Sequence, residues 1–162
     1  MQDKPLQVLM VCLGNICRSP TAEVVLRSHI QNRNLADRIL VDSAGTSSWH
    51  MGEPPDPRTM MHASARQYDL DGLLGRQVTP RDFEVFDYIL AMDKENLRNM
   101  MVDCPPAHQD KIHLLLSYSD SDYLEVPDPY HSGPQGFELV LDLVEEACSN
   151  FLESIIQKHN LT

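Results

Sequence analysis

Leu6-Gln7-Val8-Leu9-Met10-Val11-Cys12-Leu13-Gly14-Asn15-Ile16-Cys17-Arg18-Ser19-Pro20 joins an apolar run to a short loop and a helix opening. The run Leu6 to Val11 reads as a buried strand. Ser19-Pro20 reads as a helix start, with serine at the N-cap and proline at the first helical position. Cys12 to Arg18 therefore lies between a strand end and a helix start. Unpaired backbone N–H groups and the positive end of a helix dipole converge at such a place, so a phosphate-like dianion and a thiolate are both stabilised. Cys12 is expected to be an unusually acidic thiol.

Outward from this segment, helical and strand patterns alternate. Pro20 to about Gln31 places Ala22, Val25, Leu26 and Ile30 on one stripe, with Glu23 near the positive end of the helix. Arg38 to Val41 reads as a second strand feeding a small-residue loop, Asp42 to Thr46. Asp56 is expected to cap a helix from Pro57 to about Tyr68, and Thr79 a short one from Pro80. Tyr88 to Met92 reads as a third strand, after which Asp93 caps a helix to about Met101. Ile112 to Leu116 reads as a fourth strand, Ser117 to Gly136 as loop. From Phe137 a long helix aligns Phe137, Val140, Leu141, Val144, Cys148, Phe151 and Ile155. Alternating elements with nearly all-apolar strands predict an α/β fold: a four-stranded parallel sheet with helices on both faces, in a single domain over 1–162. Ligands bind beyond the carboxyl ends of strands in that architecture, which places the Cys12 to Arg18 loop at the site.

The formal charge of −11 argues against nucleic acid or an anionic membrane as partner, since both are held by basic patches. No apolar run approaches the ~20 residues that span a bilayer. Met1-Gln2-Asp3-Lys4-Pro5 does not resemble a secretory signal, so a cytoplasmic location is expected. Cys12, Cys17, Cys104 and Cys148 then read as reduced thiols, in no zinc-binding spacing. Neither cofactor nor metal is implied, and activity should not respond to chelators. Cys104, Cys148 and the pairs Met60-Met61 and Met100-Met101 are read as packing residues. His50, His62, His108 and His113 have no acidic partner at a telling spacing and are given no role.

A cysteine, five intervening residues, an arginine and a serine between strand and helix is the pattern of the cysteine-dependent phosphatases. Val11 to Glu23 so close to the amino terminus, with Asp128-Pro129-Tyr130 far downstream, resembles the low-molecular-weight protein tyrosine phosphatases. Further matches in order are Asp42 to Thr46, Pro54-Pro55-Asp56 with Arg58, Arg76-Gln77 with Asp82-Phe83, Phe86 to Leu90, and Met92-Asp93. The resemblance implies a phosphotyrosyl protein or small aryl phosphate as substrate and inorganic phosphate as product. A monomer or weak dimer is expected.

The residue chemistry fits independently. Cys12 is the candidate nucleophile, forming a cysteinyl phosphate. Leu13, Gly14, Asn15, Ile16, Cys17, Arg18 and Ser19 form the phosphate-binding loop, bent at Asn15 and Gly14, which tolerate a left-handed backbone. Arg18 offers a planar fork to two phosphoryl oxygens of a metaphosphate-like transition state. Asp128 is the candidate general acid for a phenolate whose conjugate acid has a pKa of ~10. An aspartate before proline otherwise reads as a turn residue. Trp49 and Tyr130 are candidate walls for an aromatic substrate ring and match rim aromatics of the family. By the resemblance, Ser19 donates to the leaving thiolate, Ser43 holds Asn15, and Cys17 is a redox candidate for a reversible disulfide with Cys12. The plainer alternatives are a helix cap, a loop serine and a buried loop filler.

Two departures stand out. Many relatives have tyrosine where His131 stands, and a histidine near Leu73-Leu74-Gly75. Competing functions are an arsenate reductase using the same loop and a non-catalytic phosphotyrosine-binding module. The first needs a second redox cysteine pair; the second needs neither Cys12 nor Asp128.

Overall fold

The computed structural model describes residues 4–161, so Met1, Gln2 and Asp3 of the amino-terminal stretch, and Thr162, lie outside the described residues. Along the chain run β1 (Leu6–Cys12), α1 (Arg18–Asn32), β2 (Ile39–Gly45), α2 (Pro57–Ala65), α3 (Pro80–Val85), β3 (Tyr88–Ala91), α4 (Lys94–Asp103), β4 (Ile112–Leu114) and α5 (Pro134–His159). The strands form one parallel sheet in the order β2-β1-β3-β4. Its faces are sorted by the alternation along β1. Val8, Met10 and Cys12 pack with α1 and α5, including Val25, Leu26, Val144 and Phe151. Leu9 and Val11 pack with Phe83, Phe86, Met100 and Cys104 beneath α3 and α4.

β1 has β2 on one side and β3 on the other, so the chain leaves the sheet in opposite directions around it. A crevice opens beyond the carboxyl end of such a strand, and the loop after β1 occupies it. The strand stops at Cys12 and α1 starts at Arg18, leaving little chain for any other path.

Several boundaries differ from the sequence reading. β2 continues through Asp42 to Gly45, in register with Leu9 to Cys12, where small residues suggested a loop. Pairing to an apolar neighbour overrides their weak strand propensity. Ser19 is not the N-cap of α1. Cys17 takes that position without a side-chain cap, and Pro20 lies within the first turn, where its missing N–H costs nothing. α2 ends at Ala65, before Gln67 turns with φ +71°. β4 gives way to a 3-10 turn over Leu115–Tyr118, and α5 begins at Pro134. Met61 is exposed rather than packed in the core, unlike Met100. The Asp56, Thr79 and Asp93 caps all form. Among the described residues no helix is long and apolar enough to cross a membrane.

Candidate active site

The loop after β1 is held open from outside. The carbonyls of Cys12, Leu13, Ile16 and Cys17 accept from the backbone N–H of Thr46, Ser47, Asp56 and Thr21, which turns them away from the centre of the loop. Asn15 adopts φ +58°, a left-handed conformation that asparagine tolerates better than most residues, and its N–H points at Cys12 Sγ, 3.3 Å away. Gly14, by contrast, has no left-handed backbone. Its lack of a side chain makes room for His50, whose Cδ2 would lie 2.9 Å from an added methyl.

A line of hydrogen bonds sets the polarity around the sulfur. The Glu23 carboxylate can only accept, so Ser43 Oγ donates to it at 2.6 Å and accepts from Asn15 Nδ2 at 3.0 Å. The same Nδ2 donates to Ser19 Oγ at 2.8 Å, and that hydroxyl stands 3.0 Å from Cys12 Sγ and 3.4 Å from the Ala44 carbonyl, the two groups that share its remaining contacts. Arg76 N donates to Asn15 Oδ1 at 3.0 Å and completes the amide's fixation. Glu23 is buried, and Arg27 on the next turn of α1 supplies its counter-charge.

Arg18 is 3% exposed. Its Nη1 donates to Asp93 Oδ2 at 2.6 Å and to the Val126 carbonyl at 3.1 Å, and Nη2 stands 3.8 Å from Asp128 Oδ2. Burial disfavours the guanidinium charge, but Cys12, Asp93 and Asp128 outweigh it and hold Arg18 above its usual range. Burial pushes the Cys17 thiol up to about 12, reinforced by Asp56, Cys12 and Asp128. Cys17 packs against Ile16 and Phe137.

A cavity of about 310 Å³ opens above Cys12, lined by the loop, Arg18, Trp49, His50, Asp128, Tyr130 and His131. Trp49 is 74% exposed and Tyr130 39% exposed, as rim residues. An anion seated on Cys12 would meet a helix N-terminus and a guanidinium, and an aromatic group attached to it would pass between the rim rings.

The family model for low molecular weight phosphotyrosine protein phosphatase matches residues 7–161. The chain belongs to this family. It is 41% identical over 157 residues to the low molecular weight protein-tyrosine-phosphatase YfkJ of Bacillus subtilis, covering 96% of this chain and 99% of that one. The crystal structure of YfkJ superposes with a TM-score of 0.91 over 98% of this chain and 99% of its own. A protein tyrosine phosphatase of Entamoeba histolytica, with Hepes in its active site, gives a TM-score of 0.92 at 40% identity over 95% of this chain and 99% of that one. A Drosophila arginine phosphatase gives 0.85 at 37% identity, over 93% and 98%.

In this phosphatase the residues singled out from sequence converge: Cys12 to Ser19, Trp49, Asp128 and Tyr130 surround one cavity or its floor, and Ser43 reaches Asn15. Other contributors went unrecognised. Asp93, read as a cap, also holds Arg18. Glu23, read as a dipole partner, anchors Ser43. His50 and His62 do have acidic partners, Glu53 and Glu138. The His50–Glu53 spacing of three was legible in principle; the His62 pair, 76 residues apart, was not. His131, in place of a tyrosine, packs edge-on against Tyr130 with ring centroids 5.0 Å apart.

Proposed function

We propose that this phosphatase hydrolyses phosphotyrosyl monoesters in two steps at Cys12, with Arg18 clamping the transferring group and Asp128 acting as general acid and then base. Cys12 Sγ carries the reading: it lies at the floor of the cavity with Ser19 Oγ 3.0 Å and Asn15 N 3.3 Å away, donors suited to a sulfur anion. In the first step sulfur attacks phosphorus, the S–P bond forms as the bond to the phenolic oxygen breaks, and that oxygen takes the Asp128 proton. In the second, water attacks phosphorus and gives its proton to Asp128. The S–P bond breaks, its electron pair returns to sulfur under the Ser19 hydroxyl, and inorganic phosphate leaves. Arg18 Nη2, not engaged by Asp93, is free to meet charge spread over the equatorial oxygens.

The rim favours an aromatic ester. Trp49 and Tyr130 at the mouth of the cavity offer faces to a tyrosyl ring, and a seryl or threonyl side chain has no ring to stack on them. The likeness to an arginine phosphatase raises a second reading, because a planar phosphoguanidinium also stacks on aromatic faces. Against arsenate reduction, Cys104 and Cys148 are buried in the cores on opposite faces of the sheet and offer no thiol pair to relay electrons. Four free cysteines suit a reducing compartment such as the cytoplasm.

The test is kcat/KM on matched phosphotyrosyl, phosphoseryl, phosphothreonyl and phosphoarginyl peptides, with arsenate plus thiol reductant alongside. Tyrosyl turnover should dominate, and Cys12→Ser should lose it while retaining phosphate binding. Ordinary turnover by Cys12→Ser, a preference for the arginyl peptide, or arsenate reduction without phosphatase turnover would each overturn the reading.

A further inference from the structure

Asp56 N donates to the Ile16 carbonyl at 2.9 Å, tying the start of α2 to the loop that carries the nucleophile. The buried Asp56 carboxylate then holds Arg58 through three donors: its backbone N at 2.8 Å, Nε at 3.1 Å and Nη2 at 2.9 Å. Nη2 also donates to the Tyr130 carbonyl at 2.9 Å, and the guanidinium carbon stands 5.5 Å from the Tyr130 ring centroid and 4.9 Å from that of Phe137. The Tyr130 N–H donates to Asp128 Oδ1 at 3.0 Å. One planar side chain thus spans from the residue tied to the Ile16 carbonyl to Tyr130, the residue whose N–H meets the half-exposed Asp128 carboxyl.

We propose that, given Asp128 as the general acid assigned above, Arg58 is a positioning residue that sets the Asp128 carboxyl over the pocket. The local chain needs such an anchor. Upstream, Val126 is held by its N–H on the Met92 carbonyl at 2.8 Å and by Arg18 Nη1 on its own carbonyl at 3.1 Å, but Pro127 and Pro129, which flank Asp128, have no N–H to donate. Downstream of Asp128, beside the Ser132 N–H to Pro129 carbonyl bond within the segment, the Tyr130 carbonyl is where α2 grips the chain. The fork fixes Nη2 on the Tyr130 carbonyl while Nε and Nη2 hold the Asp56 carboxylate bidentately, and a lysine ammonium cannot make that bidentate contact.

A positioning role separates from a structural one by leaving group. Departure of dinitrophenolate needs little protonation, whereas phenolate, whose conjugate acid has a pKa of ~10, depends on the acid. The experiment compares kcat/KM for phenyl phosphate and 2,4-dinitrophenyl phosphate in the whole protein, Arg58→Met, Arg58→Lys, Asp128→Asn and the Arg58→Met/Asp128→Asn double variant. The expected result is a fall on the order of tenfold for phenyl phosphate in Arg58→Met, with dinitrophenyl phosphate changed by less than about threefold, and no further fall in the Asp128→Asn background. Arg58→Lys should show the same selective loss, and serves alone if the methionine variant does not fold. Equal losses on both substrates, or none, with Asp128→Asn still selective for phenyl phosphate, would overturn the role of Arg58. An Asp128→Asn variant that leaves the substrate ratio unmoved would instead remove the acid assignment, and the proposal with it.

Discussion

Arg18 Nη1 lies 2.6 Å from Asp93 Oδ2, while Arg18 Nη2 stays 3.8 Å from Asp128 Oδ2. The buried guanidinium is thus neutralised through Nη1, which also meets the Val126 carbonyl, and Nη2 is the nitrogen that the proposed mechanism uses for the phosphoryl group. Asp93 serves twice, since its Oδ1 accepts from Asn96 N and caps α4.

Removing Asp93 should therefore expose how the arginine is held. Asp93→Ala strips a buried cation of its partner and a helix of its cap, so a loss of about 3–5 kcal/mol in unfolding free energy is expected. Saturating phosphate should shrink the deficit, because a bound oxyanion restores a counter-charge to Arg18. Urea titrations with and without phosphate measure both; a deficit indifferent to phosphate would refute the arrangement.

Asp56 governs a pH dependence. Burial works against its charge, but the side-chain and backbone donors of Arg58 and its positive charge outweigh that and hold the carboxyl below the usual range. A carboxyl depressed in the native state contributes stability above its unfolded pKa of about 3.9, and that contribution is lost as pH falls through the native value. Wild-type stability should thus drop below about pH 4, and Asp56→Asn should be weaker near neutrality but flatter in acid. Denaturant curves across that range decide it, and parallel pH profiles would count against the pairing.

Gly45 at the end of β2 lies directly against the loop. A methyl there would lie 2.7 Å from the Leu13 carbonyl oxygen and 3.2 Å from Asn15 N, both backbone atoms. Gly45→Ala should cost about 1–3 kcal/mol and depress kcat, because the displacement falls on the loop around Cys12. Gly14→Ala meets only the movable His50 ring and should be milder. Melting curves and kinetics on the two variants should rank them in that order; the reverse ranking would show that the strain lies elsewhere.

Thiol chemistry should be selective. Cys17, at about 12, stays protonated at neutral pH, and burial also raises Cys104 and Cys148. Iodoacetate, an anion, should alkylate Cys12 first and abolish activity, with phosphate protecting it. Peptide mapping after partial inactivation reads this out, and early modification of Cys17 would contradict it.

Periodicity along the chain was enough to place β1, the loop after it, α1 and the α5 stripe, whose seven apolar positions are all buried. Cap-and-proline pairs located α2 and α3 for the same reason, since those signals act within a turn. The β2 boundary misled because Asp42 to Gly45 becomes strand only by pairing with β1. Arg18 meets Asp93 across 75 residues and Asn15 meets Ser43 across 28, distances over which spacing carries no signal.

Local order thus follows from the chain alone: alternating apolar runs dictate a parallel sheet, and a cysteine and an arginine at the two ends of a loop between strand and helix dictate an anion site. Which carboxylate neutralises that arginine, which groups surround the hydroxyl beside the sulfur, and what grips the loop carrying Asp128 were decided only when β2, α2 and β3 packed around β1. Desolvation is the reason: once buried, each polar group must be satisfied by whatever donor or acceptor folding brings within reach, however remote in sequence.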